Sequence, residues 1–317
     1  MIEARFHLPG LRYNYPLNMF WISLLEERPH FFREGVKIAS VFGCFPMSMW
    51  NGGRLITNDQ CDSGFVRSVI KNINSKGIPI RYTFNNTIVE RSELDDPFCN
   101  FCMDEANNGM NEVIVASPVL EEYLRNKYPN FKYNSSTCKE IRNAEQINEE
   151  LKKDYETVVL DYNMNGQWDA IDTITDKSRL EVLVNAVCHP NCKRRGEHYK
   201  NIARNQRIIR KNMNMPPDRQ IPLEGWQCEY GDYNNLYTIM EYCTFVSTDD
   251  IWGEYIPRGI NNFKIEGRTA YLFSLIETYC YYMIKPEYIG QARLLLIKNL
   301  ENMHVFTINK PRPAKWP

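Results

Sequence analysis

Short β-branched or aromatic runs alternate along this chain with stretches whose apolar residues recur every three or four positions. Val36–Phe42 is almost wholly apolar, stops at Gly43-Cys44 and reads as a buried strand. Gly64–Asn74 places Val66, Ile70 and Ile73 on one helical face, and Lys76-Gly77 ends it. Ile78–Phe84 returns as a strand and stops at Asn85-Asn86. Glu112–Ala116 is the next strand, after which Ser117-Pro118 supplies an N-cap and a first-turn proline for a helix over Val119–Lys127. Phe131–Tyr133, Thr157–Leu160 and Leu180–Val187 read as strands, with a helix over Ala144–Lys152. An irregular insert punctuated by Pro216-Pro217, Pro222 and Gly225 runs from Cys188 to about Tyr237. A helix over Thr248–Tyr255, a strand over Asn262–Glu266 and a long helix over Thr269–Met283 follow. The proline-bearing tail, Pro311–Pro317, is expected to be extended.

Strands alternating with helices at this spacing predict an α/β fold with a parallel sheet. About seven strands can be counted, and a TIM-like (β/α)-barrel needs eight. The expected fold is therefore such a barrel, incomplete or distorted unless a strand hides near Met240–Thr244. An open doubly wound sheet is the alternative. The barrel domain is expected over 1–290 with its insert at about 188–237, and 291–317 form a C-terminal extension.

Composition narrows the function classes. With 43% hydrophobic and 24% charged residues the chain can build a core and is not a disordered segment. A net charge of −1 excludes a global basic field for bulk nucleic-acid binding. The most apolar stretch, Tyr271–Ile284, is too short and carries Glu277, so no membrane span is expected. Glu3 stands where a signal peptide would carry basic residues, which predicts a cytoplasmic protein. In that reducing setting, 10 cysteines mean buried thiols, a metal site or catalytic thiols rather than disulfides. No Gly-x-Gly-x-x-Gly, P-loop, Gly-x-Ser-x-Gly or His-Glu-x-x-His motif occurs.

Candidate chemistry gathers at the strand ends. Asn85, Asn134, Asp161, Asn163, Asn185, Lys264 and Glu266 all lie there, where the C-terminal rims of parallel barrel strands converge on one mouth. Asn and Asp also favour turns for local reasons. In Phe263-Lys264-Ile265-Glu266-Gly267-Arg268, alternation puts Lys264 and Glu266 on the face opposite Phe263 and Ile265. An interior Lys–Glu pair carries a desolvation cost and is kept for a structural network or a ligand. Arg268 follows at the rim, suited to two-point grip on a carboxylate or phosphate. Cys188 and Cys192, with Cys228 and Cys243, are candidate ligands for zinc or an iron–sulfur cluster, or else unrelated thiols. Lys193-Arg194-Arg195 lies beside the first pair. His198 and Tyr199 are candidate acid–base groups, Cys99 and Cys102 form an isolated Cys-x-x-Cys, and Cys44 ends a strand.

The run Gly259–Arg268, after a helix opened by Ser247-Thr248-Asp249-Asp250, resembles the Gly-(Val/Ile)-x-x-(Phe/Leu)-Lys-Ile-Glu-Gly-Arg segment of peptidase family U32, the collagenase-like peptidases. The resemblance spans roughly Leu183–Tyr282. It implies a [4Fe–4S] cluster on Cys188, Cys192, Cys228 and Cys243 at the barrel mouth, with zinc as the alternative metal. Peptidase-type members carry Cys-Tyr-Ser-Gly-x-Cys where this chain has Cys188-His189-Pro190-Asn191-Cys192, which weighs against proteolysis. The other branches of the family are oxygen-independent hydroxylases of quinone precursors or RNA bases. The resemblance therefore implies such an enzyme or a subunit of one, with prephenate as oxygen donor and a paralogous partner chain. In that reading Lys264, Arg268 and Arg194 or Arg195 hold a carboxylate-bearing molecule. Glu266 orients Lys264 or moves a proton, and Asp161 and His198 complete the catalytic set. A U32-type peptidase and a non-catalytic cluster- or zinc-binding scaffold are the rival readings. An RNA substrate would use the local basic stretch of Lys193–Arg195, Lys200, Arg204, Arg207, Arg210 and Lys211.

Overall fold

A computed structural model describes residues 2–53, 56, 59–230, 235–268 and 270–304. Eight parallel strands close into a barrel in strict chain order: β1 (Ala4–Pro9), β2 (Val36–Gly43), β3 (Ile80–Tyr82), β4 (Glu112–Val115), β5 (Lys132–Ser135), β6 (Thr157–Leu160), β7 (Leu180–Leu183) and β8 (Asn262–Lys264). The closing seam sets Arg5 beside Asn262, Phe6 beside Phe263 and His7 beside Lys264. The fold is a TIM-like (β/α)8 barrel.

The eighth strand is β1, not Met240–Thr244, which follows a short helix in a turn. Its sequence, Ala4-Arg5-Phe6-His7-Leu8-Pro9, alternates apolar with polar residues as a strand should, but the polar members concealed it. Of these, His7 faces a barrel interior that is itself polar, while Arg5 is exposed beside Glu3. Phe6 points outward, 5.8 Å from the Phe263 ring, while His7 points in and is fully buried.

The helices are α1 (Tyr15–Glu27), α2 (Ser63–Asn74), α3 (Pro97–Glu105), α4 (Pro118–Lys127), α5 (Ala144–Leu151), α6 (Trp168–Ile171), α7 (Arg195–Asn212), α8 (Leu236–Ile239), α9 (Thr248–Asp250), α10 (Leu272–Met283) and α11 (Ile289–Asn302). Local chemistry starts several of them. Asp62, Ser117 and Asn143 each accept a backbone N–H at the N-terminus of α2, α4 and α5. The outward strand residues, such as Val41, Ile80, Val113, Val158 and Val182, pack beneath these helices in one continuous core. Ala292, Leu296 and Leu300 of α11 join that core. Thr269 and the tail 311–317 lie outside the described residues. No helix among the described residues is long and apolar enough to cross a membrane.

The insert is not irregular throughout, because α7 occupies 18 of its residues. Its buried face carries Asn201, Asn205 and Gln206 beside Tyr199, Ile202 and Ile209, so the usual apolar stripe is broken. Asn205 receives Glu224 N–H on Oδ1 (2.7 Å) and donates from Nδ2 to Glu224 O (2.9 Å), which ties the returning strand of the insert to the helix.

Candidate functional site

The barrel interior is a layer of charge rather than the stacked aliphatic side chains usual for this fold. Arg81 Nε donates to Glu112 Oε2 at 2.6 Å, and its guanidinium also bonds Glu181. Lys264 Nζ stands 3.2 Å from Glu181 Oε1 and 4.6 Å from the centroid of the Phe42 ring. His7 Nδ1 meets Ser40 Oγ at 2.8 Å, and its Nε2 is 3.5 Å from Glu181 Oε2. Asn134 donates to Glu112 at 2.9 Å and accepts from Thr157 at 2.6 Å. Each of these side chains comes from an inward position of its strand.

Burial and this crowding of charges set the protonation states. Burial alone would raise the Glu181 carboxyl, but Lys264 and Arg81 reverse that and hold it well below the usual carboxylate range. Burial, with Arg81 close by, keeps His7 neutral at physiological pH. Burial also lowers Lys264, and the nearby Arg81 and Arg268 add to this against the pull of Glu181.

The sequence pairs Lys264 with Glu266, but the structure does not. Strand β8 ends at Lys264, so alternation lapses, and the counter-charge of Lys264 is Glu181 from β7. Glu266 sits one step higher at the mouth. Its Oε2 accepts Val187 N–H at 3.0 Å, and its backbone bonds the Asn185 side chain in both directions (2.7 and 2.9 Å). Arg268 reaches across the opening, where NH1 donates to Thr83 Oγ1 at 2.9 Å and NH2 to Gly52 O at 3.3 Å. Gly53 has φ +81°, and a Cβ there would stand 2.8 Å from Arg268 NH2, so glycine is needed twice over.

Above the charged layer lies a small cavity, open at its mouth, lined by Lys264, Glu266, Arg268, Asn85, Cys138 and Tyr199 among others. Asn85 donates toward Ser136 Oγ (3.4 Å) and Cys138 Sγ (3.6 Å), while its Oδ1 is buried with no hydrogen-bond partner. An unsatisfied buried acceptor is costly in a folded protein and fits a ligand donor at that point. The chemistry available is thus one lysine and one arginine, a carboxylate, an amide acceptor and a thiol around one small opening.

Other candidates lie elsewhere. Asp161 is fully buried against Arg195, which also stacks on the Tyr162 ring (4.6 Å) and lies 3.5 Å from Glu140. Both side chains are spent tying the start of α7 to the end of β6, so Arg195 faces the protein's own carboxylates. His198 stacks on Trp226 with ring centroids 4.7 Å apart, and Arg194 lies over the same indole at 4.4 Å. That stack is formed by α7 and the insert, and none of its residues lines the barrel-mouth cavity. Most of the basic stretch is neutralised: Arg194 pairs with Glu229, Lys200 with Glu197, Arg204 with Glu224, Arg207 with Glu90 and Glu93, and Arg210 with Asp96.

The four cysteine-bearing segments do converge. The His189 ring stacks on Tyr230 at 3.9 Å and meets Tyr242 edge-on at 5.7 Å, while Arg194 donates to Gln227 O at 3.1 Å. Yet Cys228 and Cys243 are exposed and Cys188 and Cys192 half-buried. Among the described residues no three Cys, His, Asp or Glu side chains stand together as a metal-ligating group.

Sequence reasoning missed Glu181, Arg81 and His7. A signal was present, since each is a lone charged or polar residue inside a short apolar strand run.

The chain is similar in structure to a U32 peptidase. The solved U32 peptidase Mk0906 superposes with a TM-score of 0.49 at 14% identity, over 84% of this chain and 94% of that one. No protein-family model matches the sequence, and no curated protein does.

Proposed function

We propose that this chain is an enzyme whose reaction centre is the barrel mouth and whose substrate is a small carboxylate-bearing molecule. The observation that carries the reading is the cavity where Lys264 and Arg268 meet the unpartnered Asn85 Oδ1. The two cations supply charge for a carboxylate, and the amide oxygen accepts from a hydroxyl. The small-molecule form is favoured over RNA because the arginines of α7 already face carboxylates. None of the ten cysteines, all among the described residues, forms a disulfide, which suits a reducing, cytoplasmic setting. Titration calorimetry with prephenate, the first compound to try, and with a panel of mono- and dicarboxylates tests the proposal. Micromolar to millimolar binding that weakens at least about tenfold in Arg268→Gln supports it. Binding of single-stranded RNA in preference to every carboxylate refutes it.

The oxygen-independent hydroxylase form adds a four-iron cluster on Cys188, Cys192, Cys228 and Cys243. Its support is the meeting of their segments around His189. It requires the loops carrying Cys228 and Cys243 to take another arrangement. Iron and acid-labile sulfide are the readout in anaerobically isolated protein. About four of each per chain supports the cluster, whereas stoichiometric zinc or no metal removes it and leaves the carboxylate site standing.

A further inference from the structure

Lys264 is placed unlike the other lysines of the barrel. It comes from an inward position of β8, its side chain is 10% exposed, and that remaining exposure opens into the mouth cavity. Its Nζ lies 4.6 Å from the centroid of the Phe42 ring and 3.2 Å from Glu181 Oε1. The Arg268 guanidinium belongs to the same cavity wall, four residues on.

We propose that Lys264 forms a covalent imine with the carbonyl carbon of a small 2-oxo acid whose carboxylate rests on Arg268. The inference rests on the barrel mouth being a carboxylate site and adds the substrate class and the bond that forms. A lysine becomes a nucleophile when it is held dry and beside other cations, because both disfavour the ammonium form. Both conditions are met. Burial lowers Lys264, and Arg81 and Arg268 add to the effect, against the opposing pull of Glu181.

The step balances without an oxidant or reductant. The Lys264 ammonium first passes a proton to Glu266; the neutral amine then adds to the carbonyl carbon, the π electron pair moves to oxygen, and the oxygen takes that proton to give a carbinolamine. Loss of that oxygen as water, with a second proton, leaves the C=N bond. Amine plus carbonyl gives imine plus water. Glu266, at the same opening, is placed to carry the proton between nitrogen and oxygen. Glu181 cannot share that task, because the cations around it hold it ionised. It is instead the counter-ion for the protonated imine, which would occupy the position of the ammonium it now faces at 3.2 Å.

Reductive trapping tests this. The intact protein is incubated with glyoxylate or pyruvate and sodium cyanoborohydride near neutral pH, and labelled lysines are located by peptide mass spectrometry. Lys264 should carry the carboxymethyl or carboxyethyl group at least about tenfold faster than the mean of the other lysines, the factor expected for each unit by which an amine is lowered. Arg268→Gln, which leaves the amine in place, should cut that rate about tenfold while leaving other lysines unchanged. Lys264→Arg should abolish the site's label, with circular dichroism reporting whether it folds. Labelling of Lys264 no faster than that of surface lysines overturns the imine. If oxamate, a 2-oxo acid mimic that forms no imine, still binds by calorimetry, the carboxylate site survives that result. If oxamate and every carboxylate tested fail to bind, both readings fall.

Discussion

Glu181 is the keystone of the barrel interior, and Glu181→Gln tests that with almost no change of shape. The glutamate is fully buried, bonds Arg81, faces Lys264 at 3.2 Å and has His7 at 3.5 Å. At an effective dielectric near 20, a unit pair at the Lys264 distance is worth ~5 kcal/mol of attraction. Removing one member of a buried pair costs about 3–5 kcal/mol in measured cases. Arg81 cannot shed its proton but keeps Glu112 at 2.6 Å. Lys264 can shed its own, at about 1.4 kcal/mol for each pKa unit, which caps the loss. The expected deficit is about 3–4 kcal/mol at pH 7. Its pH dependence is diagnostic. Without Glu181 the folded state releases the Lys264 proton while the unfolded state keeps it to about pH 10.4, so the unfolded state binds more protons. The variant should therefore gain stability with rising pH more steeply than the parent, and the deficit should shrink by about pH 9.5. Urea unfolding followed by tryptophan fluorescence at both pH values measures it. A deficit below about 1 kcal/mol at pH 7, or one equal at both pH values, refutes the account of a charge-balanced interior.

Three further outcomes follow from other contacts. Gly267→Ala would bring a Cβ to 2.5 Å from Leu275 Cδ1 and 3.0 Å from Pro9 Cγ, so thermal unfolding should show a loss of about 1–3 kcal/mol and carboxylate affinity should fall as Arg268 shifts. Asp161→Asn removes the negative charge and one of the two acceptor oxygens that face Arg195 but leaves Glu140, and about 2–4 kcal/mol should be lost by urea unfolding. Burial alone would raise Glu150, but Lys139, Lys153 and Ser135 hold its carboxyl down to about 2. Its contribution is full above the ordinary glutamate value of 4.5 and is lost as pH falls toward about 2, so the acid limb of a melting profile should flatten in Glu150→Gln.

The alternation of strand and helix was legible along most of the chain, because each outward strand face and each helix stripe is apolar and packs on the other. Val66, Ile70 and Ile73 on α2 illustrate this, and so does the Ser117-Pro118 start of α4. Helices α1, α3 and α11 went unread although their buried faces are largely apolar, but two other elements that escaped notice share one property. Strand β1 hides His7 among apolar neighbours, and α7 buries Asn201, Asn205 and Gln206. Hydrophobic periodicity cannot register a face whose burial is compensated by hydrogen bonds and ion pairs. Lys264, Glu266 and Arg268 stood out in the sequence, and the structure sets all three around one cavity.

What the sequence determined by itself is local: where strands and helices start and stop, which residues cap them, and that a charged segment, Lys264–Arg268, sits at the end of a buried strand. What only the tertiary structure decided is partnership. Lys264 answers to Glu181 and not to Glu266, and Arg195 is consumed by Asp161. Arg207 and Arg210 of α7 meet Glu90, Glu93 and Asp96, more than a hundred positions away. Charges pair through space, at distances that barrel closure sets, and closure joins residues a hundred or more positions apart. Spacing along the chain carries no record of that.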